Sequence, residues 1–163
     1  MVADKMKALV VYDSYFGNTE QVALTIGETL STQTEVEVQK VTDVKPEQLT
    51  GLSYLVVGSP TRAFRPTAAI VNLLKGIPRD GLKGVKVASF DTRIDKEDVN
   101  NAILGFMTKI FGYAAKPISN RLVKKGGDLV LPPEGFYVLD TEGPLRDGEI
   151  ERTKEWTRHI LTK

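Results

Sequence analysis

The chain contains no cysteine and a single histidine, and each shortage removes a class of chemistry. Without thiols there are no disulfides, no thiolate zinc sites and no cysteine nucleophile. His159 sits in a helical pattern beside Arg158 and Thr162, where a solvated surface position is expected. No Ser-His-Asp arrangement can be assembled around it, which sets hydrolysis by a triad aside. No apolar run nears the ~20 residues that cross a bilayer, so membrane insertion is not expected. Charge is balanced as well, with 22 basic against 21 acidic residues and a net charge of +1. The longest basic run, Lys124-Lys125, makes no nucleic-acid footprint. The N-terminal Met1 to Met6 is polar and lacks a hydrophobic signal core, so the expected compartment is the cytoplasm.

What is present reads as one domain spanning residues 1–163, large enough to bury roughly two thirds of its unfolded surface. Apolar strands alternate with helical patterns along its length. Ala8 to Tyr12 is the first strand, and Val22, Ala23, Ile26 and Leu30 mark one face of the helix that follows. Glu35 to Val41 alternates apolar with polar, as an edge strand does, and Leu52 to Gly58 is a strand buried on both sides. Pro66 suits the start of a second helix carrying Ala69, Ile70, Leu73 and Leu74. Val85 to Phe90 is the fourth strand, and Asp91 to Gly112 reads as a loop with a partly helical excursion. Pro117 opens a helix over Ile118 to Lys125, Asp128 to Leu131 makes a fifth strand, and extended structure resumes at Gly135 after Pro132-Pro133. Gly148 to Leu161 closes the chain, with Trp156 expected in the core. Strands alternating with helices predict an α/β fold, a doubly wound parallel sheet of five strands in a three-layer arrangement.

In such sheets ligands bind beyond the carboxyl ends of the strands, and three loops leave those ends: 13–19, 59–66 and 91–98. The first is the most informative. Lys7 to Glu20, KALVVYDSYFGNTE, runs strand, loop, helix, and its loop brings Ser14, Gly17, Asn18 and Thr19 to a helix N-terminus. Unpaired amides, the positive end of the helix dipole and several hydroxyls suit a phosphate there. A Walker loop needs a Lys after its second Gly and a dinucleotide turn needs three spaced glycines; neither is present. The same residues would also serve as a plain helix cap that binds nothing, and the motif alone leaves both readings open. The Asp91, Asp95 and Asp98 spacing lacks the Gly and terminal Glu of a calcium loop, so no metal is expected.

The segment Ser14-Tyr15-Phe16-Gly17-Asn18-Thr19 resembles the phosphate loop of flavodoxins, roughly Ser/Thr-x-Thr-Gly-x-Thr, with Phe16 at the middle Thr. That resemblance extends over nearly the whole chain. It implies the strand order 2-1-3-4-5 and FMN as cofactor, its 5′-phosphate held by the loop 14–19. It further implies that Pro60, Thr61, Arg62 and Phe64 run beside the flavin ring, with Phe64 as the stacking aromatic. Asp91, Thr92 and Arg93 then occupy the loop on the other flavin face, where the family commonly carries a Tyr that is missing here. The C-terminal passage from Pro132 to Glu149 looks like a subgroup of short flavodoxin-like proteins. The function so implied is electron transfer through non-covalently bound FMN, with a redox partner protein or NAD(P)H and no catalytic side chain of its own. Two alternatives accompany it. One is a flavin-dependent quinone or protoporphyrinogen oxidoreductase with Phe106, Phe111 and Tyr113 as a pocket wall. The other is an interaction domain of this fold that has lost FMN.

Overall fold

The structure, a computed structural model, describes residues 6–62, 64–95 and 112–163. Its elements in chain order are β1 (Lys7–Tyr12), α1 (Asn18–Leu30), β2 (Glu35–Lys40), β3 (Tyr54–Pro60), α2 (Ala68–Gly76), β4 (Lys86–Ile94), α3 (Ala115–Lys124), β5 (Asp128–Leu129), β6 (Glu134–Val138) and α4 (Glu149–Leu161). Short 3-10 turns at Val41–Asp43 and Pro46–Leu49 connect β2 to β3. All strand pairings are parallel, in the order β2-β1-β3-β4-β5, with β6 also paired to β4.

Alternation along the strands divides the core in two, because successive side chains point to opposite faces. Ala8, Val10 and Tyr12 of β1 pack with Val22, Ala23, Ile26 and Leu30 of α1 and with Trp156 and Ile160 of α4. Leu9 and Val11 face the other way, against Ile70 and Leu74 of α2 and Ile118 and Leu122 of α3. The sheet is therefore covered on both sides, as the sequence pattern predicts. On the first side Phe90, Phe136 and Trp156 meet edge to face, with ring centroids 6.2, 6.3 and 5.8 Å apart. Such contacts stabilise by about 0.5–1.5 kcal/mol beyond area burial.

Several boundaries differ from the sequence reading, β3 among them, which runs from Tyr54 to Pro60 and so takes Ser59 and Pro60 out of the loop 59–66. β4 runs on to Ile94, so Asp91, Thr92 and Arg93 are strand and not loop. They pair with Ser59 and Pro60 of β3 and with Gly135, Phe136 and Tyr137 of β6. Polar composition suggests a loop there, but Asp91 and Arg93 are two residues apart, hence on one face, and satisfy each other. α2 begins at Ala68 behind a Thr67 cap whose hydroxyl accepts the Ile70 N–H at 3.4 Å, leaving Pro66 outside the helix. α3 begins at Ala115 and holds Pro117 in its first turn, where a missing N–H costs no helical bond. The fifth position of the sheet is shared by β5 beside Lys86 and Val87 and by β6 beside Phe90 to Ile94, with Pro132 and Pro133 between them. In the closing helix Trp156 is buried as expected and Ile160 is buried with it, while Ile150 is half-buried. The expectations for Phe106, Phe111 and the rest of 96–111, and for Ala63, lie outside the described residues.

Candidate functional site

A cavity of about 430 Å³ opens at the carboxyl edge of the sheet, at the switch point between β1 and β3. Ser14, Tyr15, Phe16, Asn18 and Thr19 line it from the β1–α1 loop, Pro60, Thr61 and Arg62 from the end of β3, and Thr92, Arg93 and Ile94 from the end of β4. Val138 and Thr141 complete it. Ten of the sequence candidates therefore share one wall system; Gly17, Phe64 and Asp91 do not line it. Sequence reasoning missed Ile94, Val138 and Thr141. The available signal was the resumed strand at Gly135: a parallel partner to β4 must end at the same edge and deliver a fourth loop.

The β1–α1 loop is organised around Gly17, the residue preceding α1, at φ 91°. Only glycine takes that left-handed conformation without strain, and no atom within 4 Å would crowd a side chain, so the backbone and not space selects it. Ser14 Oγ accepts the Gly17 N–H at 3.1 Å, while the Ser14 N–H donates to Asp13 Oδ1 at 2.9 Å. These bonds close the loop and use a lone pair of Ser14 rather than its proton, which remains available to a ligand. α1 has no side-chain cap, so its first amides face the cavity end of the helix with the dipole behind them. At the loop's base Tyr12 Oη donates to Glu20 at 2.7 Å, and burial together with that bond pushes the phenol up to about 12.

Cross-links tie the loops together. Thr19 Oγ1 and Thr92 Oγ1 lie 2.8 Å apart, both buried, joining α1 to β4. One shared bond consumes one of their two protons and leaves the other hydroxyl a donor. Asn18 Nδ2 donates to the Glu142 carbonyl at 3.1 Å. The Thr61 N–H donates to the Thr92 carbonyl at 3.0 Å, and Thr61 Oγ1 accepts the Ala114 N–H at 3.1 Å. Arg62 and Arg65 exchange both backbone bonds at 2.9 Å around a tight turn in which Phe64 has φ 67°.

Asp91 is fully buried directly behind the wall. Arg93 meets it side-on with Nε at 2.6 Å and a second nitrogen at 2.7 Å, and the Ala115 N–H adds a bond at 2.9 Å. Burial pushes the Asp91 carboxyl up, against the pull of Arg93 and of that N–H. The Arg93 guanidinium also lies 3.6 Å from the centroid of the Tyr113 ring. Burial raises the Tyr113 phenol, with Arg93 opposing. The Arg93 charge thus faces the cavity already neutralised by Asp91. Arg62 has no such partner among the described residues and lies 4.8 Å over the Tyr15 ring. Among the described residues no three His, Cys, Asp or Glu side chains come together as a metal site, and no helix is long and apolar enough to cross a membrane.

No family model matches the sequence, and no curated protein resembles it in sequence. The fold has clear relatives among solved structures. Oxidised Flavodoxin 2 from Bacillus cereus superposes with a TM-score of 0.76 at 22% identity, covering 96% of this chain and 98% of that one. A flavodoxin from the domain Archaea gives 0.73 at 22% identity, with 96% and 97% covered. Rubredoxin oxygen:oxidoreductase from Desulfovibrio gigas gives 0.73 at 18% identity, over 96% of this chain and 35% of that one. The architecture is the flavodoxin fold, in strand order and in the covering of both faces.

Proposed function

We propose that this chain is a single-domain flavoprotein that binds FMN non-covalently in the 430 Å³ cavity and passes electrons. The observation that carries the reading is the donor set at the start of α1. An uncapped helix N-terminus, a glycine at φ 91°, and the Ser14 and Thr19/Thr92 hydroxyls, each with a proton to spare, converge where a dianionic monoester is best held. No lysine or arginine lies in the segment 13–19, so dipoles and neutral donors supply the attraction. Phe16 brings no hydroxyl and is 47% exposed at the mouth beside Tyr15. Among the described residues these two rings, and not Phe64, are the aromatic surfaces that line the cavity. Thr61, Arg62, Thr92 and Arg93 form the remaining walls, with their positions fixed by the bonds among Thr61, Thr92 and Ala114 and by Asp91.

Flavin supplies the redox chemistry when bound, and the protein's part is to hold, orient and shield it. The Asp91–Arg93 pair presents a cation whose field is largely cancelled, while Arg62 meets no carboxylate among the described residues. Titrating FMN with the purified protein and following flavin fluorescence tests the reading directly. Quenching that saturates at one FMN per chain is the expected result; fluorescence unchanged at tens of micromolar protein sinks it.

A further inference from the structure

Four residues at the mouth of the cavity are exposed, three of them lining it and Arg65 beside them. Tyr15 and Phe16 are 57% and 47% exposed, and Arg62 and Arg65 are both exposed beside them. Near the same edge Arg93 is neutralised by Asp91 at 2.6 Å and Arg146 by Asp95 at 3.1 Å. Arg62 and Arg65, in contrast, meet no carboxylate among the described residues. Their turn is closed by two mutual backbone bonds, and Arg62 is propped on the Tyr15 ring at 4.8 Å. The turn that carries both cations is therefore braced, and Arg62, stacked on Tyr15, has less side-chain entropy to lose than a free surface arginine has.

We propose that this rim is the docking surface for an acidic redox protein, which would deliver electrons to the adjoining cavity. Exposed Tyr, Phe and Arg are the residue types enriched in the energetic centres of protein interfaces, and two unpaired cations ask for carboxylates opposite. A dinucleotide fits less well. A pyrophosphate is gripped by backbone amides together with guanidiniums, and the amides of Arg62 and Arg65 are spent on each other. Asp140 and Glu142, exposed on either side of Thr141 in the chain, bring acidic charge next to one wall of the cavity. The electron-transfer part of the proposal rests on the FMN reading: one electron leaves the partner and one enters the flavin, with no atom exchanged.

Binding of the FMN-treated protein to an acidic [2Fe–2S] ferredoxin, with basic cytochrome c as the sign control, tests the surface by biolayer interferometry at about 20 mM and about 500 mM salt. Flavin absorbance is recorded on each sample. At low salt the ferredoxin affinity is expected to fall about tenfold or more in Arg65→Glu and to be retained in Arg65→Lys. The difference should close at high salt, and cytochrome c should favour Arg65→Glu. The rate at which reduced ferredoxin bleaches the bound flavin should fall in parallel. Ferredoxin affinity indifferent to Arg65→Glu overturns the docking surface whatever the flavin content. NADPH binding that depends on Arg65 where ferredoxin binding does not makes this a dinucleotide site and overturns it too. A protein that carries no flavin yet binds ferredoxin through Arg65 keeps the surface and removes the FMN reading instead.

Discussion

Replacing Gly135 with alanine should damage the protein through a neighbour rather than at the substituted position. A methyl there would lie 2.1 Å from Arg93 Nε, 2.2 Å from Cζ and 2.6 Å from a terminal nitrogen. The guanidinium is the flexible end of a long side chain, so the steric conflict itself is relieved by moving it. What it moves away from decides the outcome. Asp91 is 0% exposed and keeps only the Ala115 N–H at 2.9 Å once Arg93 leaves. Removing one partner of a buried pair costs about 3–5 kcal/mol, because a charge is left unpaired in a low dielectric. For a chain of this size that corresponds to a fall in Tm of roughly 6–20 °C. The pH dependence identifies the cause. Asp91 already has its carboxyl pushed above 3.8 by burial, and loss of Arg93 pushes it further. A carboxyl raised in the folded state is fully tolerated only below its unfolded value and penalises folding as pH climbs through the folded one. The deficit of Gly135→Ala should therefore be widest at neutral pH and shrink towards pH 4. Adding Asp91→Asn should recover part of it, since an amide needs no counter-charge. Urea denaturation of the single and double variants between pH 4 and 7 measures this. A neutral-pH deficit below about 1 kcal/mol, or one that does not vary with pH, refutes the reasoning.

Ser14→Ala combined with Thr19→Ala should weaken FMN by about 1–3 kcal/mol per lost bond while leaving riboflavin nearly unchanged, because only FMN carries the phosphate; equal weakening in fluorescence titrations would reassign the loop. Glu149 offers an opposite pH signature. Burial would raise its carboxyl, but Arg152 and the Tyr137 N–H at 2.7 Å outweigh it and hold the group below 4.5. Its contribution is thus present above about pH 4.5 and lost as pH falls through the lower folded value, so Glu149→Gln should cost about 1–3 kcal/mol at pH 7 and little near pH 3 in urea titrations. Redox titration of the FMN-bound protein should show Arg62→Gln lowering the potential of the fully reduced flavin more than Arg93→Gln does, because Asp91 already cancels Arg93; the reverse order would place the uncompensated charge elsewhere.

The sheet was legible because its periodicity is physical: Ala8, Val10 and Tyr12 cannot face the side that Leu9 and Val11 face, and both sets are apolar, so both sides had to be covered. The turn from β1 into α1 was legible because Gly17 and the hydroxyls around it lie within seven consecutive residues. What failed to show was everything that depends on partners distant in sequence. Asp91, Thr92 and Arg93 read as loop because a lone carboxylate and guanidinium look solvent-seeking, and nothing local says that Ala115 and Tyr113 will close over them. The resemblance made Phe64 the stacking ring, but it sits in the left-handed turn that pairs Arg62 with Arg65 and does not line the cavity. Val138 and Thr141 were missed for the same reason, since their place follows from β6 lying parallel to β4, a pairing interrupted in sequence by Pro132-Pro133. Charge at this edge likewise depends on partners. Of Arg62, Arg65 and Arg93, Arg93 is paired with a residue two positions before it, while Arg62 and Arg65 meet no carboxylate among the described residues. Positive charge at this mouth is accordingly a property of its outer rim, which makes it better placed to select what docks than to set what the wall beside the ring does.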